Sequence, residues 1–138
     1  MVNVEDLKHL TAGDVQSYHD YILGHSPGLK GTKPGMHVES LIGRIHHNIF
    51  YGSFHGIEEV AALYAEAIAK GHVFNDGNKR TALISMLTFL EENDVGVDTD
   101  QEHLAEWIID LADGRATHKE FAPWLKTRLR GSLPAELA

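Results

Sequence analysis

An all-α fold is what the sequence predicts, on three observations. Apolar residues recur at helical spacing through most of the chain. Alternating strand patterns are absent apart from the short run Val95 to Val97. Capping and stopping residues bracket the periodic segments, as Thr11 and Gly24 do for the first. About six helices result, arranged around one helix, Gly77 to Asn93, whose apolar residues lie on most of its sides.

The first helix starts at Thr11, whose hydroxyl can cap it with Asp14 three positions on. It carries Val15, Tyr18, Ile22 and Leu23 on one face and stops at Gly24. The segment HSPGLKGTKPGM then spaces Pro and Gly closely and reads as a loop of about a dozen residues, long enough to be functional or mobile. A second helix, His37 to Tyr51, offers Val38, Leu41, Ile42, Ile45 and Ile49; a third, Gly56 to Lys70, offers Ile57, Val60, Tyr64 and Ile68.

The fourth helix begins at Gly77 or Asn78 and is surrounded by Ala82, Leu83, Ile84, Met86, Leu87, Phe89 and Leu90. Thr81, Ser85 and Thr88 interrupt that run, but small hydroxyls can bond back to the preceding turn and so do not contradict burial. The fifth helix follows Thr99 or Asp100, with the capping-box order Thr99 to Glu102, and ends at Gly114. In the last, Thr117 to Leu129, Pro123 either kinks the helix or marks a start near Ala122. Residues 1–130 read as a single domain and 131–138 as a tail that frays.

Composition narrows the function. Against 12 Lys+Arg stand 20 Asp+Glu, a formal net charge of -8, so direct nucleic-acid binding and attraction to an anionic membrane are not expected, and any bound anion needs a local cluster of cations. No cysteine is present, which removes disulfides and thiolate metal sites and fits a reducing cytoplasm. The acidic start MVNVEDLKHL does not resemble a signal peptide, and TALISMLTFL is about half of the ~20 residues a bilayer span needs. Of the ten histidines, His37, His46, His47 and His55 lie near one another in sequence without the spacing of a metal site; adjacent helical residues face ~100° apart.

The chemistry is concentrated in GHVFNDGNKRTAL, Gly71 to Leu83. The first backbone N–H groups of the fourth helix, from Gly77 through Arg80, have no partner within the helix and make an anion pocket facing the turn that carries His72 and Asp76. Lys79 and Arg80 sit at the positive end of the helix dipole, which costs a few tenths of a kcal/mol each, about the size of one surface ion pair, unless an anion compensates. A phosphate does so, with Arg80 able to grip it through two N–H groups and Lys79 as a point charge. Asp76 can hold Mg²⁺ through one carboxylate while phosphates supply other ligands, and His72 can take a proton from an attacking hydroxyl. These parts describe phosphoryl or nucleotidyl transfer. A P-loop does not fit, because five residues separate Gly71 from Gly77 and Asn78 precedes Lys79.

HVFNDGNKR resembles the signature of the Fic/Doc family: His, any residue, Phe, any residue, Asp or Glu, Gly or Ala, Asn, then Gly or Lys, then Arg. Every fixed position is filled, and a looser likeness runs from Leu10 to Leu129 through LIGRI, AKGH and RTAL. AMP-transferring members carry a second glycine where Lys79 stands and a second arginine where Leu83 stands, so both positions point to the Doc-like branch. Gly77 and Ile84 depart from that branch, which has alanine and asparagine there. The resemblance implies a toxin that uses ATP and Mg²⁺ to phosphorylate a threonine of elongation factor Tu, arresting translation. It implies His72 as general base, Asp76 as Mg²⁺ ligand, Gly77, Asn78, Lys79 and Arg80 as phosphate-holding residues, and Phe74 as an anchor in the core.

The family resemblance also implies control by an antitoxin whose disordered C-terminal segment folds onto the toxin. The self-silencing pattern of some Fic proteins fits TFLEEN, Thr88 to Asn93, only in letters, since Glu92 lies more than about 15 Å along the helix from Arg80. The loop after the first helix is a candidate flap over a target peptide. The rival readings are an AMP transferase and a non-catalytic module that binds nucleotide or antitoxin.

Overall fold

The computed structural model describes residues 3–131. After a 3-10 turn at Val4–Asp6 come α1 (Ala12–Gly24), α2 (Val38–Tyr51), α3 (Ile57–Gly71), α4 (Asn78–Glu92), β1 (Val95–Val97), α5 (Gln101–Asp113), α6 (His118–Arg128) and β2 (Leu129–Gly131). The class is all-α, as the periodicity predicts.

The helices begin where local chemistry provides a cap. At α1 the Thr11 hydroxyl accepts from the Asp14 N–H (3.1 Å) and the Asp14 carboxylate accepts from the Thr11 N–H (2.9 Å), the expected reciprocal pair. At α5 the expected Thr99 to Glu102 box does not form. Asp100 caps instead, accepting from the His103 N–H at 2.8 Å, because a carboxylate one residue later reaches the same first turn with a full negative charge. α6 starts after Thr117, whose N–H donates to Glu120 at 3.0 Å, and runs through Pro123. The alternative start near Ala122 is therefore wrong. Pro123 and Lys119 are both exposed, so the Lys119 carbonyl that Pro123 leaves without a donor can bond to water.

α4 lies in the middle of the molecule, and α3 lies there with it. α3 buries Val60, Ala61, Ala62, Leu63, Tyr64, Ala65, Ile68 and Ala69 and packs on α2, α4, α5 and α6. Its alanines let four neighbours approach, a role that the weak apolar signal of alanine hides in a periodicity count. α4 buries Ala82, Met86, Phe89 and Leu90 against α1, α3, α5 and β1, while Ile84 stays 41% exposed. Thr81 and Ser85 are buried as well, but their hydroxyls make no bond to the preceding turn. Burial is achieved there at the cost of two unpaired hydroxyls.

Val95 to Val97 finds a partner that the sequence does not announce. β1 pairs antiparallel with β2, Val95 opposite Gly131 and Val97 opposite Leu129, so Leu129 is strand rather than helix. Of the expected tail, Gly131 sits in β2 and 132–138 lies outside the described residues.

Candidate active site

The turn from Gly71 to Asn78 joins the two central helices. His72 ends α3 in the left-handed region, at φ 51 and ψ 36, with its ring exposed. Val73 and Phe74 then turn inward and are buried. Gly77 precedes α4 at φ 83, also left-handed, and a Cβ there would meet Leu23 Cδ2 at 2.6 Å. Only glycine meets both demands, so the turn can close down onto α1.

Asn78 braces this turn. Its amide donates to the Phe74 carbonyl at 2.9 Å and accepts from the Phe74 N–H at 3.1 Å. With the side chain spent, what Asn78 offers an anion is its backbone N–H, together with that of Gly77.

Asp76 and Arg80 are both held by the loop between α1 and α2. The Leu29 N–H donates to Asp76 Oδ2 at 2.6 Å, leaving Oδ1 without a protein partner among the described residues. Arg80 donates to the Ser26 hydroxyl, which in turn donates to the Ile22 carbonyl at 2.7 Å. The same loop lies strand-like against the turn. Lys33 N–H donates to the Val73 carbonyl (2.8 Å), Asn75 N–H to the Gly31 carbonyl (3.0 Å), and Thr32 bridges Phe74. The loop thus forms a strap, bonded across the turn.

These elements enclose a cleft of about 360 Å³ lined by Lys33, His72, Asn75, Asp76, Lys79 and Arg80. Every site residue singled out in the sequence therefore lines one cavity, with Gly77 and Asn78 in its wall. The first turn of α4 carries no acidic residue, and neither Lys33 nor Lys79 is ion-paired among the described residues. Positive charge, free N–H groups and the helix dipole all favour an anion here. For Mg²⁺ the protein has one carboxylate oxygen to offer, and no group of three His, Asp or Glu side chains among the described residues is placed to hold a metal by itself. That donor set fits a cation shared with phosphates rather than one caged by protein.

Sequence reasoning misses two contributors. Lys33 adds a third cation from the strap. His19 lies fully buried beneath the turn, its Nε2 2.7 Å from the Asp76 carbonyl and its ring stacked on Phe74 at 3.7 Å and 8°. The available signal was the row Val15, His19, Leu23, three positions four apart on the buried side of α1.

The pattern of the Fic/DOC family matches residues 9–90, which includes α1 to most of α4 and every residue of the cleft. The chain belongs to the Fic/DOC family. The Protein kinase doc of Escherichia phage P1 is 36% identical over 126 residues, covering 91% of this chain and 98% of that protein. That likeness extends beyond the family match into α5 and α6.

Proposed function

We propose that this Fic/DOC protein is the toxin of a toxin–antitoxin pair, acting in the cytoplasm. It transfers the γ-phosphate of ATP to a Thr or Ser hydroxyl of a translation factor, elongation factor Tu, and so arrests translation. The observation that carries the reading is the likeness, over nearly all of both chains, to a protein kinase of the same family. Lys79 and Leu83 support it, since both differ from the AMP-transferring signature.

In this reading the N–H groups of Gly77 and Asn78 and the side chains of Lys79 and Arg80 hold the phosphates. Asp76 holds Mg²⁺ through its free oxygen. When bound, Mg²⁺ neutralises phosphate charge. His72, exposed at the rim, takes the proton as the hydroxyl oxygen bonds to the γ-phosphorus and the bond to the β–γ bridging oxygen breaks, releasing ADP. Arg80 is engaged by Ser26, so nucleotide entry exchanges that strap contact for phosphate, while the Leu29 N–H keeps Asp76 Oδ2 and leaves Oδ1 for the metal. A partner antitoxin with a disordered C-terminal segment would control access, because TFLEEN lies at the other end of α4 from the cleft.

The test is a transfer assay on elongation factor Tu and whole lysate with ATP labelled at the γ- or the α-phosphate, and His72→Ala as control. Label from the γ position alone, lost in the variant, supports the kinase. Label from the α position would establish AMP transfer instead, a reading that Gly77 favours because AMP-transferring members have glycine there and Leu23 leaves no room for a Cβ. No label from either would leave a binding module.

A further inference from the structure

The Asp76–Gly77 peptide sits between two sides of the molecule. On one side is α1, where His19 Nε2 lies 2.7 Å from the Asp76 carbonyl oxygen. A carbonyl only accepts, so Nε2 carries the hydrogen and donates. The other ring nitrogen, Nδ1, is buried without a hydrogen-bond partner; the nearest carboxylate, Asp20, is 3.7 Å away. His19 is therefore held by what it does at Nε2 and by its stacking on Phe74, and by no bond from its other edge. A Cβ on Gly77 would come within 3.5 Å of the same ring, which shows how closely the turn rests on it.

A trans peptide is planar, and its C=O and N–H point in opposite directions. With the Asp76 carbonyl drawn down to His19, the Gly77 N–H faces the other way, toward the cleft. Among the described residues nothing else bonds that peptide from below: Leu23 and Phe74 are apolar, and the Leu29 N–H grips the Asp76 side chain rather than its backbone. The backbone of Gly77 would not by itself fix that orientation, because a residue without Cβ accepts either sense of the preceding peptide.

We infer that His19 is a positioning residue for anion binding: its Nε2–H sets the Asp76–Gly77 peptide so that the Gly77 N–H becomes a donor to phosphate. The inference rests on the reading of the cleft as a phosphate site. It adds to the signature a residue some fifty positions away in sequence that never touches the ligand.

Two measurements test it, with inorganic pyrophosphate and Mg²⁺-AMP-PNP as probes. In the wild-type protein, ¹H–¹⁵N spectra should show the Gly77 amide among the signals that pyrophosphate moves; shifts at Asn78 and Lys79 with Gly77 unmoved would overturn the positioning role. Among variants, His19→Phe keeps size and stacking but has no donor, whereas His19→Gln places an amide N–H near the original Nε2. Well below the melting temperature, His19→Phe should bind Mg²⁺-AMP-PNP about ten-fold more weakly and His19→Gln within about three-fold of wild type. A purely structural role would lower the melting temperature of both and leave the affinity of the folded protein unchanged, and that result also overturns the inference. Failure of the wild-type protein to bind either probe would sink the phosphate-site reading itself, and the positioning role with it.

Discussion

His72 and Gly77 flank the turn in the same left-handed backbone region, for different reasons. His72 is a β-carbon-bearing residue where helix ends favour glycine, a placement that costs about 1 to 2 kcal/mol. The fold carries that cost at the residue proposed to do the proton transfer, which is where stored strain tends to be found. His72→Gly should therefore be more stable than His72→Ala by about 1 kcal/mol in urea denaturation, with both inactive in transfer. Equal stabilities would mean that the φ of 51 is not retained in solution. Gly77→Ala meets both a forbidden φ and the Leu23 side chain, and should destabilise the chain by about 2 kcal/mol or more. Combining it with Leu23→Ala should recover part of that loss as a coupling energy in a double-mutant cycle; strict additivity would show that the contact is not made.

At the level of elements, the strap between α1 and α2 makes the cleft a three-segment structure. Lys33 is attached to it through a backbone pairing that does not depend on its own side chain, so Lys33→Met should preserve the fold and remove only charge. We expect up to about five-fold weaker Mg²⁺-AMP-PNP binding at low salt, shrinking as salt rises, by isothermal titration. An effect indifferent to salt would place the ammonium group away from the phosphates. The strap also marks where sequence reading stopped. The helices were legible because each repeats its apolar residues over three or four turns, and His72, Asp76, Lys79 and Arg80 were legible because nine consecutive residues carry the signature. Ser26, Leu29 and Lys33 were not, since a loop bond through a backbone N–H leaves no trace in residue type. Thr99 and Pro123 misled for a related reason: two adjacent capping residues, or a proline in an exposed turn, are decided by small energies that the pattern does not contain.

For the molecule as a whole, stability should respond to acid through the segment that precedes α1. His9 Nε2 donates to the Val4 carbonyl (2.7 Å), and its Nδ1 accepts from the Tyr64 hydroxyl (2.9 Å), whose oxygen accepts from the Leu10 N–H. Burial, and then His46 nearby on α2, hold the pKa of His9 below its ordinary value of 6.5, against an opposing pull from the Val4 carbonyl. The unfolded chain thus binds a proton that the folded one resists, and stability is lost as pH falls from about 6.5 through the lower folded value. The melting temperature should drop between pH 7.5 and 5.5, and His9→Gln should flatten that drop; an unchanged slope would rule His9 out.

Asn93 bonds both ways with Lys8 just past the end of α4, and β2 is paired to β1 beside it. Lys8 and the β1–β2 pair therefore lie at one pole of α4, while the cleft opens at the other, about 22 Å away along a helix of 15 residues. A binding protein or antibody seated on the β1–β2 pole would hang from the far side, leaving the cleft as accessible to a bulky protein substrate as in the unbound molecule.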